Sequence, residues 1–393
     1  MDKVRFGIIG LGNMGTSHIR NFNDGKIPNG VVSAVCDIDE KALENGVKLA
    51  GDVKAFNDAE EMMKSGEVDA VLIATPHYLH PVLAIKALNS GLHTLVEKPA
   101  GVYTKAVREM NEVAAKSDKV FGMMFNQRTN PLYKKLKKMI EDGELGKLRR
   151  VNWIITNWYR TQNYYDSGSW RATWKGEGGG VLLNQSPHQI DLIQWLCGMP
   201  TKVMGHCAYG KYHDIEVEDD VTAYLEFPGG ATGVFITTTG DAPGSNRLEI
   251  SGTRGKVVVD LSHAAGTEDK FMFYRAETDV DEHIKTCKSG FDQPNYWNCE
   301  IEVKGENPQH VGICNNFCDA VLNGKPLLAP GEEGINGVTI SNAIHLSDWL
   351  EKPVTLPIDE DLFYNMLQDK IKNSTVKKKT VKNSGPVNLS GTY

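Results

Sequence analysis

The stretch VRFGIIGLGNMG, Val4 to Gly15, decides the fold of this chain. Its first half is a short, mostly apolar run that reads as a buried strand, and GTSHIRNF, which overlaps its end, reads as the start of a helix. Between them Gly10, Gly12 and Gly15 stand in G-x-G-x-x-G spacing, with Asn13 and Met14 inside the turn. Glycines so spaced allow a tight strand-to-helix turn, let the backbone approach a pyrophosphate, and leave the helix N-terminus aimed at its negative charge. Alone the motif is weak. Here the second strand-like run, GVVSAVCD, ends at Asp37, where an acid accepts hydrogen bonds from an adenosine ribose and repels a 2'-phosphate, and no arginine immediately follows. The expected ligand is NAD rather than NADP.

Outward from this turn, EKALENGVKLA, VDAVLIATP, HPVLAIKALNSG and HTLVEKP continue an alternation of helix-like and strand-like segments, which implies a doubly wound parallel sheet. The pattern changes near Asn126. After an amphipathic PLYKKLKKMIEDGELG come LRRVNWIIT, TKVMGHCAYG, DVTAYLEF, ATGVFITTTG, RLEISG, KVVVDL and KFMFYR, strand-like runs whose middle members have short turn-like gaps. They predict an antiparallel meander in a second, α+β domain, with one face covered by the helix around His188 and the other meeting solvent or a second subunit. The expected boundaries are 1–125 for the first domain, 126–357 for the second, and 358–393 for a C-terminal helix and polar tail. The open face predicts a homodimer or homotetramer.

Composition bounds the partners. A formal net charge of -7 over 393 residues argues against a nucleic-acid-binding face, which needs excess Lys and Arg. The N-terminal apolar run is too short for a signal peptide or membrane span, and the 7 cysteines are odd in number, scattered and without a C-x-x-C pair. No metal, no membrane contact, a cytoplasmic location with reduced thiols and a small-molecule partner are expected.

Two segments fall where ligands bind in a doubly wound sheet, at the carboxyl ends of strands: ATPHYLHP, with Thr75, Pro76 and His80, and LVEKPAG, with Glu97 and Lys98. A lysine beside a proline-fixed turn and facing a cationic nicotinamide has its ammonium form disfavoured, which suits proton transfer from an alcohol. Farther on, GGGVLLNQSPHQIDL places Asn184 and His188 at i and i+4, hence on one helix face toward the substrate. The glycines Gly178 to Gly180 are expected to let the chain approach the cofactor. Before them, NWYRTQNYYDSGSWRATWKGEGGG interleaves aromatics and arginines with small residues, which suits a carbohydrate or cyclitol pocket: aromatic faces for ring C–H groups, arginines for hydroxyls. Tyr159, Arg160, Tyr165 and Trp174 are the candidates there, with Arg128 and His310 as further candidates for lining the same cleft.

GIIGLGNMG, ATPHYLHP, EKP and GGGVLLNQSPHQIDL, in this order, resemble the glucose-fructose oxidoreductase and inositol dehydrogenase family (Gfo/Idh/MocA), and HVGICNNFCDAVLNGKPLLAPGEEG extends the resemblance over nearly the whole chain. The resemblance implies an N-terminal Rossmann domain and a C-terminal α+β domain with a large, mainly antiparallel, open-faced sheet. It implies that Lys98 and His188 meet at the nicotinamide and that Trp170 and Arg171 lie near it. Members usually carry an acid four residues before the histidine; this chain has Asn184, whose amide is not a base. The expected activity is NAD-dependent oxidation of a secondary ring hydroxyl, at C3 of a pyranoside or on a cyclitol. An NAD-dependent glycosidase acting through transient C3 oxidation, and a non-catalytic NAD- and sugar-binding regulator, remain the rivals.

Overall fold

The computed structural model describes residues 2–262 and 269–374; the polar tail lies outside the described residues. The first sheet has six parallel strands, β1 (Val4–Ile9), β2 (Gly30–Cys36), β3 (Lys54–Phe56), β4 (Ala70–Ile73), β5 (His93–Val96) and β6 (Phe121–Met123), in the order β3-β2-β1-β4-β5-β6. Five helices connect them: α1 (Asn13–Asn23), α2 (Glu40–Ala50), α3 (Ala59–Lys64), α4 (Leu79–Asn89) and α5 (Thr104–Ala114). Val4, Phe6 and Ile8 on β1 are wholly buried, as a strand covered by helices on both faces must be. Strand order reverses at β1, and the carboxyl ends of β1 and β4 part there to open a crevice.

A second sheet of nine strands follows α6 (Pro131–Glu141), which starts where the Asn130 side chain caps it and Pro131 takes the first turn. Its strands are β7 (Leu148–Ile155), β8 (Lys202–Tyr209), β9 (Glu218–Glu226), β10 (Thr232–Thr238), β11 (Asn246–Gly252), β12 (Gly255–Asp260), β13 (Lys270–Ala276), β14 (Tyr296–Glu300) and β15 (Val354–Thr355). The order is β14-β13-β12-β11-β7-β10-β9-β8-β15, antiparallel throughout except where β10 runs parallel to β7. The expected unbroken meander is thus corrected. β7, first in sequence, is inserted between β10 and β11 and ties to the latter through Trp153, whose indole N–H donates to Asn246 Oδ1 at 3.0 Å. A parallel neighbour requires a long crossover, and the chain between β7 and β8 supplies one through α7 (Gln162–Asp166) and α8 (Pro187–Cys197).

Helix α8 and the long α11 (Gly334–Leu350) pack on the inner face of this sheet, whose core includes Trp153, Phe235, Leu192 and Ile344. On the other face Ile154, Met204 and Tyr224 are exposed, so the sheet is open there. Short α9 (Val280–Thr286) lies beside β14 in sequence. Helix α10 (Gln309–Asn323) buries Cys314, Phe317 and Cys318 in the core of the first sheet, with Phe317 against Phe6 at 5.9 Å between ring centroids. The last helix, α12 (Glu360–Lys372), adds Phe363 and Leu367 to the second core. Among the described residues no helix is long and apolar enough to cross a membrane, and no cluster of His, Cys, Asp and Glu could hold a metal.

Candidate active site

A cleft of about 820 Å³ runs from the glycine turn to the start of α8. At its first end the geometry explains each glycine. Gly10 has φ +91°, and a Cβ there would lie 2.7 Å from Ala74 O; a Cβ on Gly15 would lie 1.9 Å from Gly10 O, so α1 could not approach the turn. Gly12 faces open space, and no side chain caps α1, which leaves its first N–H groups for an anion. Asp37 accepts the Leu11 N–H at 2.7 Å and the Asp39 N–H at 2.9 Å, so it pins the glycine turn to the end of β2 while its carboxylate still lines the cleft. A cradle with open glycine, uncapped helix and acid fits the pyrophosphate and ribose of NAD.

Thr75, Pro76 and His80 line the middle of the cleft. The two ring nitrogens of His80 lie 2.7 Å from Thr75 O and Pro99 O, so this side chain braces the turn after β4 against the turn after β5. Lys98 stands on the latter. Its Nζ donates to the backbone oxygen of Asn184 at 2.9 Å, and burial pushes its pKa down, with Arg171 and Arg160 adding to the shift against Glu97 and Glu177. His188, also in the cleft wall, is held well below the usual histidine range by burial and by Lys98, so it is a neutral imidazole. Behind Lys98, Glu97 bonds His18 at 2.7 Å; burial opposes its ionisation, yet the bond and charge of His18 bring it to about 2.

Several sequence expectations are corrected here. Asn184 does not share a helix face with His188, because Pro187 begins α8 and Asn184 belongs to the turn before it; both nevertheless line the cleft. Gly178 to Gly180 do not make room for a cofactor. A Cβ on Gly178 would lie 2.1 Å from Val102 and one on Gly180 2.0 Å from Glu218 O, while Gly179 sits tightly against Leu183 and His345, so these glycines pack the turn against Val102 of the first domain and against β9 and α11 of the second. The aromatic segment divides. Arg160, Trp170 and Arg171 line the cleft together with Trp158 and Tyr164, but Tyr165 is buried with its hydroxyl on Thr239 at 2.8 Å, Trp174 packs on Tyr209, His345 and Trp349, and Tyr159 is half exposed outside the cleft. Arg128 is not a cleft residue at all. It is completely buried, with Nε and Nη2 on Asp191 at 2.9 and 2.6 Å and Nη1 on Glu333 at 2.5 Å. His310 lies behind the cleft, 4.0 Å from Glu97.

One acid escaped the reading of the sequence. Glu177 is 1% exposed, accepts the Ala172 N–H at 2.5 Å, and accepts from the side-chain amide of Asn184. Its signal was an acid directly before three glycines, a place where a charge has no reason to be buried unless it is used.

A family model described as an oxidoreductase family with an NAD-binding Rossmann fold matches residues 4–125, and the C-terminal domain model of the Gfo/Idh/MocA family matches residues 133–258. The chain is 28% identical over 265 residues to a myo-inositol 2-dehydrogenase of Thermotoga maritima, covering 65% of this chain and 75% of that one. It is 26% identical over 274 residues to a 2,7-anhydro-N-acetylneuraminate hydratase of Escherichia coli, covering 67% of this chain and 69% of the relative. Among solved structures, the WlbA dehydrogenase of Bordetella pertussis in complex with NADH and UDP-GlcNAcA superposes with a TM-score of 0.77 at 26% identity, over 91% of this chain and 100% of that one. Fold, glycine turn and family models converge: this chain belongs to the Gfo/Idh/MocA family of NAD-dependent oxidoreductases.

Proposed function

We propose that this protein oxidises a secondary ring hydroxyl of a pyranoside or cyclitol, with C3 of a glucose-type ring as the position. One observation carries the reading: Lys98, Asn184 and His188 line the same cleft as Gly12 and Asp37, so proton-handling groups and a dinucleotide cradle share one space. The glycine turn and the uncapped end of α1 hold the pyrophosphate, and Asp37 holds the ribose. Bound NAD supplies the hydride acceptor. Lys98, whose ammonium form is disfavoured by burial, takes the hydroxyl proton as the C–H bond breaks, and the neutral imidazole of His188 holds the same hydroxyl or passes the proton onward. The chain contributes orientation and electrostatics.

Arg160 and Arg171 refine the substrate. Both guanidinium groups stack on Tyr164, at 5.1 and 4.6 Å from its ring centroid, and both add positive charge around Lys98. Two such cations beside a catalytic lysine favour a sugar that brings its own carboxylate, in keeping with the uronic acid nucleotide bound by the WlbA dehydrogenase. A redox-neutral reading, in which C3 oxidation only enables an elimination, is favoured by the relative named as a hydratase. A screen of neutral and acidic glycosides, uronates and inositols with NAD, read by absorbance of the reduced cofactor, tests the proposal. Net NADH formation supports dehydrogenation, product without net NADH supports the redox-neutral cycle, and neither defeats both. The reading places the enzyme in the cytoplasm, where its seven free thiols would stay reduced.

A further inference from the structure

Asn184 leaves a question about proton chemistry. An amide has one donor end and one acceptor end, and which end faces the substrate decides what it recognises. The surroundings fix the answer. The Asn184 Nδ2 group donates to Glu177 Oε1, away from the cleft, and Asn184 Oδ1 is left on the side of Tyr164, whose hydroxyl approaches it at 3.5 Å. Glu177 is itself held in place. Its N–H donates to Thr173 O at 2.9 Å, its second oxygen takes the Ala172 N–H, and the turn needs Gly176, where a Cβ would lie 2.3 Å from Trp170 O, and Gly178, at φ +81°.

We infer that Glu177 is a positioning residue that locks the Asn184 amide with its carbonyl oxygen toward the substrate, so that Asn184 presents an acceptor there. The inference rests on the dehydrogenase reading for its catalytic consequence, but the lock itself does not. A substrate hydroxyl donates to Asn184 Oδ1 while Lys98, tethered to the backbone oxygen of the same residue, stands beside it. The carboxylate that most relatives are expected to carry at position 184 is thus displaced by one residue contact, from the cleft wall to the layer behind it. Burial raises the Glu177 carboxyl, while Arg171, the Ala172 N–H and the Asn184 amide work to keep it ionised.

The lock makes an unusual demand. Asn184→Asp puts two carboxylates in contact, where they must share a proton, because like charges so close cannot both ionise in a buried site. Adding Glu177→Gln rebuilds the pair with amide and carboxylate exchanged. Two measurements follow, one without substrate. In thermal unfolding, a carboxyl whose folded pKa is raised loses stability as pH rises from about 5 to about 8; Asn184→Asp should show this fall relative to wild type, and Glu177→Gln/Asn184→Asp should not. In steady-state kinetics, Asn184→Asp should lose roughly a hundredfold in kcat/KM near neutral pH and lose more as pH rises, Glu177→Gln should lose roughly tenfold chiefly through KM, and the double variant should recover most of the Asn184→Asp loss. NAD titration verifies that each variant is folded. If losses multiply in the double variant, or if Asn184→Asp unfolds with the pH dependence of wild type, the lock is refuted. An absence of turnover in the wild type defeats the dehydrogenase reading alone, since the unfolding comparison still decides the lock.

Discussion

The two ends of the cleft are built differently. At the cofactor end, Gly10, Gly12 and Gly15 lie within one turn, and their partner Asp37 comes from the next strand. At the reacting end, Lys98 from the turn after β5 meets Asn184 and Glu177, which come from the long crossover between β7 and β8 in the other domain. A phosphate cradle needs only backbone N–H groups and space, which a short glycine turn supplies. Moving a proton needs side chains of opposed character at fixed distances, and those are assembled only when distant segments fold together.

The contrast can be broken most forcefully at Lys98. Lys98→Ala should lower turnover by roughly a hundredfold to ten-thousandfold, the usual worth of a general base, while NAD still binds; titration of the cofactor alongside steady-state rates checks both halves. His188→Ala should cost less in turnover and more in apparent affinity for substrate, and kcat and KM measured separately reveal the split.

Arg128 sharpens the contrast by lying outside the cleft. Removing one partner of a buried ion pair costs about 3–5 kcal/mol. Arg128→Ala should therefore lower the unfolding midpoint in denaturant while any surviving folded enzyme keeps its KM. A raised KM with unchanged stability would return Arg128 to the substrate pocket.

At the cofactor end the effects are smaller. Asp37→Ala should weaken NAD about tenfold and narrow the gap to NADP, since it loses a ribose contact, the repulsion of a 2'-phosphate and the tie to Leu11. Competitive titration with both nucleotides measures the gap. The open face carrying Ile154, Met204 and Tyr224 should cover itself against the same face of a second copy, and light scattering at micromolar concentration should give a dimer or tetramer mass.

These differences also explain what the sequence disclosed. The parallel sheet was legible because its signals are local: an apolar run, a glycine turn, a helix, repeated. Strands β7 to β13 were legible one by one and β14 was not, and the place of β7 was hidden as well, since a strand's neighbours are chosen by long-range pairing that alternation does not encode. Tyr165 and Trp174 were assigned to the sugar pocket because aromatics serve cores and ligands equally well; only packing against Thr239 and Trp349 separates the two uses. Arg128 misled for a related reason. A cation far from any acid in sequence found Asp191 and Glu333 in space. Glu177 stayed hidden because its partner, Asn184, was read as helical, and the helix starts three residues later.

The central claim is that a lysine depressed by burial accepts the proton in NAD-dependent oxidation. The pH dependence of kcat/KM for NAD reduction tests it most directly. Because burial pushes Lys98 down, its neutral, proton-accepting form grows as pH rises through the folded pKa, so the rate should climb with pH and level off below the range of an ordinary lysine at about 10.4, and the climb should vanish in Lys98→Met. A profile in Lys98→Met that keeps the same climb would contradict the account and assign the proton to another group.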